Sequence, residues 1–172
     1  MKDIGNIPFS YILKKVSLGW SEVLWGYEHG YLSWSVAIQF AEHCLMKGSE
    51  NPLEVELAGF TKEQASQVGV LLKKLVGELS KNELEHIKKK WLFILLAWFY
   101  DNRVNLSEPL EIVEKIYADF DYPEEIVGFI RYMPPNDGYD PTQYTYEENI
   151  NRLYKNWGNY LSTAEKAFTK SL

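Results

Sequence analysis

The residues of this chain that could do chemistry are mostly carboxylates and tyrosines, and they gather late in the sequence. Asp119 and Asp121 lie two residues apart, and Glu124 and Glu125 follow them. Asp137 and Asp140 bracket Gly138 and Tyr139, and Tyr144, Tyr146, Glu147 and Glu148 come next. Three kinds of chemistry could use such a set. Paired carboxylates can run acid–base hydrolysis if they converge in a pocket that raises the proton affinity of one of them. A calcium loop needs oxygen ligands at fixed spacing and a closing glutamate, and the Asp137–Asp140 segment does not supply them. A surface of acids and tyrosines can also bind a basic protein, with charge steering the encounter and the rings giving large contact area at low entropy cost.

The other reactive residues offer less. His29, His43 and His86 each follow a glutamate, but neighbours on a helix point about 100° apart, so these are not dyads by spacing. No pair of histidines has the four-residue spacing of a helical zinc site, so no metal is expected. The one cysteine, Cys44, excludes an intramolecular disulfide and reads as an inert buried thiol. There is no phosphate-cradling glycine loop and no nucleophile elbow. No catalytic residue and no cofactor is assigned.

Charge supports a binding role. The chain has 172 residues and a net charge of -6. Between Val104 and Asn151, eleven acidic residues face two basic ones, Lys115 and Arg131, a net of -9, while the rest of the chain carries +3. Six of the twelve tyrosines also fall late, at Tyr132, Tyr139, Tyr144, Tyr146, Tyr154 and Tyr160. Such a stretch attracts a basic partner and repels nucleic acid, and Lys88-Lys89-Lys90 is too short a basic run to reverse that. The plainer alternative is a solvated face whose loop rings fold back onto the helices. The residues expected to touch a partner are Asp137, Tyr139, Asp140, Tyr144 and Tyr146, with Asp119, Asp121, Glu124 and Glu125 as a second patch.

The elements that must carry these residues are helices. Alternating strand patterns are absent, and helix signals recur. Ser33 precedes WSVAIQFAEHCLMK and Gly48 follows it. Thr61 with Gln64 is a capping box opening a helix to about Leu79, and Ser80 with Glu83 opens another to about Asn102. Ser107 and Pro109 open a helix to Phe120, Pro123 starts a short one, and a long last helix begins near Thr145. Trp20, Leu24, Tyr27 and Tyr31 share a face at helical spacing, leaving Trp25 to pack elsewhere or stand exposed. Trp91 to Tyr100 is apolar on all sides. Its ten residues are about half of a membrane span, so a buried central helix is expected and no membrane partner. The fold class is all-α: one domain, residues 1–172, of about eight helices in antiparallel neighbours. The N-terminus lacks the apolar stretch of an export signal, and with a lone thiol the expected compartment is the cytoplasm.

The segments WSEVLWGYEHGYLS, NPLEVELA, KKKWLFILLAWFYDNR, PLEIVEKIYADFDYPEEI and RYMPPNDGYDP resemble an uncharacterised bacterial family of small cytoplasmic proteins, a domain of unknown function. The resemblance covers about residues 9 to 162, and the YADFDYPEEI and YMPPNDGYDP blocks are its most specific parts. It implies no activity, cofactor or catalytic residue. It does imply that similar proteins can stand beside secreted toxin genes as immunity proteins, which agrees with an acidic chain that binds a basic toxin. A carboxylate-dependent hydrolase and a helical scaffold that self-associates into a homo-oligomer are the competing readings.

Overall fold

The computed structural model describes residues 7–169, so the first six residues of the N-terminal stretch discussed above lie outside it. The described residues form eight α-helices and four short 3-10 helices, and no strand. The fold is all-α. The chain divides into two compact units, Met1–Trp91 and Leu92–Leu172.

The first unit contains α1 (Phe9–Lys15), α2 (Trp20–Glu28), α3 (Trp34–Met46), α4 (Pro52–Ala58), α5 (Val68–Val76) and the opening half of α6 (Lys81–Asp101). Helix α3 packs on α4, and α2 packs on α5. Val23, Phe40, Leu57, Val68, Leu72 and Trp91 form its core. The capping boxes are present: Thr61 N donates to Gln64 Oε1 at 3.0 Å, and Ser80 N donates to Glu83 Oε2 at 2.8 Å. The first of these opens a 3-10 helix, Lys62–Gln67, before α5 begins. The helix expected to reach Leu79 stops at Val76 because Gly77 turns out of it at φ +70°.

Helix α2 ends earlier than its aromatic spacing suggests. Gly30 takes φ +76°, and the Tyr31 and Leu32 amides both donate back to Gly26 O. Tyr31 is therefore off the helix. Trp25 is buried and stacks on His29 at 3.7 Å between ring centroids, with Tyr31 at 5.8 Å and Trp91 at 6.2 Å. Gly26 makes room for Trp91: a Cβ there would lie 2.2 Å from the indole Cζ2.

Two carboxylates are buried in this unit. Glu22 Oε2 accepts from Gly19 N at 2.9 Å, its Oε1 meets Lys90 Nζ, and its backbone carbonyl accepts from Trp91 Nε1 at 2.9 Å. The start of α2 is thus fastened to α6 by two polar contacts, the Lys90 ion pair and the Trp91 hydrogen bond. Glu54 Oε1 accepts from Trp20 Nε1 at 2.6 Å.

The second unit contains the remainder of α6, α7 (Pro109–Asp119), the 3-10 helix Glu124–Phe129, and α8 (Tyr146–Thr169). Residues Leu92 to Ala97 are at most 2% exposed, as expected of a helix buried on every side. Helix α8 packs on the 3-10 helix, where Phe129 stacks on Trp157 at 6.0 Å and Asn156 Nδ2 donates to Gly128 O at 2.7 Å. Leu110, Val113, Ile116 and Ile126 complete this core. Helix α7 begins one residue later than Ser107 would place it, with Glu108 at the cap position and Pro109 in the first turn. Among the described residues no helix is long and apolar enough to cross a membrane.

Candidate protein-binding surface

All nine residues expected to touch a partner lie in the second unit. The structure gives them different work. The loop before α8 is built by short polar side chains hydrogen-bonding nearby backbone. Asp140 Oδ1 accepts from Thr142 N at 3.0 Å and from Thr142 Oγ1 at 2.7 Å, which starts the 3-10 turn Pro141–Gln143. Thr145 N then donates to Glu148 Oε2 at 2.8 Å, and Glu148 N to Thr145 Oγ1 at 3.2 Å, a capping box that opens α8.

Tyr139 folds back. Its hydroxyl donates to Asn149 Oδ1 at 2.8 Å, its ring stacks on Tyr144 at 4.6 Å, and the Arg152 guanidinium lies 4.1 Å from its centroid. Arg152 also donates to Asp137 Oδ2 at 2.6 Å, and Asn149 Nδ2 donates to Pro141 O at 3.1 Å. Asn149 and Arg152, one turn apart on α8, thereby hold the loop through three of its residues. Tyr139 and Asp137 shape the loop, while Tyr144 and Tyr146 stand outward, 49% and 80% exposed.

The second patch sits where α7 ends. Asp119, Asp121, Glu124 and Glu125 are all exposed. The chain leaves α7 through two successive left-handed residues, Asp121 at φ 61° and Tyr122 at φ 58°. Pro123 disfavours the helical region for Tyr122, and the Tyr122 amide donates to Tyr117 O at 2.9 Å. Two successive non-glycine residues in this region are uncommon, and such strain of about 1–3 kcal/mol each tends to collect where a chain segment binds something.

Arg131 falls between the two patches in sequence. It grips Glu114 through two bonds, Nε to Oε1 at 2.7 Å and Nη2 to Oε2 at 2.9 Å, with Glu108 at 3.6 Å. Hydrogen bonding to Glu114 raises its pKa above the usual arginine value, and Tyr146 lies close enough to add to this. Lys115 pairs with Glu111 at 2.9 Å. Both cations of the acidic stretch are therefore engaged by carboxylates outside the nine, on α7 and at its cap.

The loop acids behave as fixed anions. Hydrogen bonds from Arg152 hold the Asp137 carboxyl below its ordinary range, Thr142 does the same to Asp140, and Thr145 to Glu148. A general acid needs the opposite shift. Cys44 is half-buried, not buried as expected; partial burial raises its thiol, with Glu54 adding to it, so it is held protonated. No group of three or more potential metal ligands occurs among the described residues.

Sequence reading missed Arg152 and Asn149 as loop anchors, and Tyr122 as part of the surface. The usable signal for the first pair was their three-residue spacing on one face of a helix that follows a tyrosine-bearing loop.

No curated protein and no solved structure matches the chain. One family does, over residues 9–165, and its description is an uncharacterised protein conserved in bacteria (DUF2247). The acidic, tyrosine-bearing surface described above falls entirely within that match, and the chain belongs to this bacterial family of unknown function.

Proposed function

We propose that the chain is a protein-binding protein that engages a basic partner through the acidic, tyrosine-bearing surface of its second unit, without chemistry of its own. The observation that carries this reading is the pairing of exposed rings with exposed acids. Tyr122, Tyr132, Tyr144 and Tyr146 are 49% to 80% exposed, in a stretch where the available cations are already engaged. Tyrosine gives an interface rigid contact area, and surrounding anions give it steering and selectivity. In its most concrete form the reading is an immunity protein that lays this surface over a bacterial toxin domain.

Carboxyl footprinting tests it. The intact chain is labelled at its acids with and without a basic probe, hexaarginine. Protection is expected at Asp119, Asp121, Glu124, Glu125 and Glu147. Protection confined to exposed acids of the first unit, such as Glu50, Glu56 and Glu63, would refute the placement.

A further inference from the structure

The exposed tyrosines do not form one uniform surface. Tyr117, Tyr122 and Tyr132 make a cluster of their own. Tyr117, on α7, is 4% exposed and forms the floor. The Tyr122 ring meets it edge-on at 5.2 Å between centroids and 83° between planes. The Tyr132 ring meets it at 6.4 Å and 54°. Tyr122 and Tyr132 are 61% and 59% exposed. Tyr122 and Tyr132 both pack against Tyr117 and stay mostly exposed, and a tyrosine ring open to solvent can attract a cation. Desolvation pushes the Tyr132 hydroxyl above its usual range, with Tyr117, Glu114 and Tyr122 adding to it.

The backbone holds this arrangement in place. Tyr122 stands over Tyr117 because residues 121 and 122 are both left-handed and the Tyr122 amide is bonded to Tyr117 O. Asp119, Asp121, Glu124 and Glu125 flank Tyr122 in sequence and are all exposed. The nearest basic residue in sequence, Arg131, is turned onto Glu114 and Glu108.

We propose that the corner formed by Tyr117, Tyr122 and Tyr132 is a receptor for one cationic side chain, an arginine guanidinium or a lysine ammonium, presented by the basic partner. This rests on the reading of the acidic surface as partner-binding, and it assigns the anchor point to the end of α7 instead of the loop at Tyr139. The cation stacks on the exposed ring faces, and the flanking carboxylates hold the residues on either side of it. Tyr139 has the same chemistry but is already filled: Arg152 of the chain itself lies on its ring. That internal pair shows the contact the corner lacks.

The test is a titration of the intact chain with hexaarginine, followed through tyrosine ring signals in NMR, with wild type, Tyr132→Leu and Tyr122→Leu compared. Both side chains are mostly exposed, so these variants keep the core; unchanged unfolding midpoints verify that. The largest ring shifts are expected at Tyr122 and Tyr132, and each leucine is expected to weaken binding by about two- to fivefold, the range of an exposed cation–π contact. Shifts confined to Tyr144 and Tyr146, with unchanged affinity in both variants, would overturn the corner and leave the acidic-surface reading standing. Absence of any response in this region would overturn both.

Discussion

Replacing Lys90 by alanine is expected to destabilise the first unit by about 3–5 kcal/mol, because it strands the buried Glu22 carboxylate without its cation. Glu22 is 6% exposed, and the Lys90 side chain 12%. Water cannot replace the lost partner at such a site. The Lys90 ammonium also donates to Ser17 O at 3.2 Å, and that carbonyl loses its donor as well. Lys90→Met keeps the aliphatic length and removes only the charge, so it should recover little. The double variant Glu22→Gln with Lys90→Met removes both charges and should recover most of the loss. An exposed pair of the same unit, Lys73 with Glu28 at 3.1 Å, is the control. Their side chains are 67% and 41% exposed, so Lys73→Met should cost about 0–1 kcal/mol. Chemical denaturation followed by tryptophan near-ultraviolet circular dichroism reads all four. A Lys90→Met variant as stable as wild type would show that the pair contributes no more than a surface one.

The second large effect is at Gly26. Alanine is a better helix former than glycine by about 0.5–1 kcal/mol, and by propensity alone Gly26→Ala in α2 should stabilise. The structure reverses that sign. The added methyl would sit 2.2 Å from Trp91 Cζ2, and the Trp91 ring is fully buried with its Nε1 donating to Glu22 O. The ring has nowhere to retreat without breaking that bond and disturbing the stack with Trp25 and Tyr31. Overpacking of this kind typically costs about 1–3 kcal/mol. Gly69→Ala in α5 is the comparison: its Cβ would meet Tyr27 Cε1 at 3.1 Å, against a partly exposed ring that can shift. A lowered unfolding midpoint for Gly26→Ala, with a changed tryptophan signal and only a small change for Gly69→Ala, is the expected outcome. A raised midpoint for Gly26→Ala would mean that propensity outweighs the contact.

These two sites also show what a sequence states openly and what it conceals. The helices were legible because their signals are local. Thr61 with Gln64 and Ser80 with Glu83 form the expected caps, and Gly48 turns out at φ +92° where α3 stops. The run from Trp91 was legible because apolarity on every side allows only a buried helix in a chain this short. The errors come from contacts between residues far apart in sequence. Lys90 is one of three consecutive lysines, yet Glu22, 68 positions away, draws it inward. By propensity alone Gly26 weakens a helix, and Trp91 makes it a requirement. Within the binding surface, the acids and exposed tyrosines were visible from composition. The division of labour among them was not, since it depends on Arg152 and Asn149 of α8 taking Tyr139 for the loop. The corner at Tyr117 was hidden for a related reason. Its geometry is set by two left-handed residues that neither propensity nor periodicity marks.

The central claim is that the acidic residues at positions 119–125 steer a basic partner onto the second unit. The most direct measurement is the association rate of immobilised hexaarginine with the intact chain, from low salt to about 0.15 M, where charges more than about 8 Å apart are largely screened. Wild type is compared with a variant carrying Asp119→Asn, Asp121→Asn, Glu124→Gln and Glu125→Gln. The expected result is a wild-type rate that falls steeply as salt rises, and a variant that is slower at low salt with a flatter salt dependence. Equal rates and equal salt dependence for the two proteins would contradict the claim.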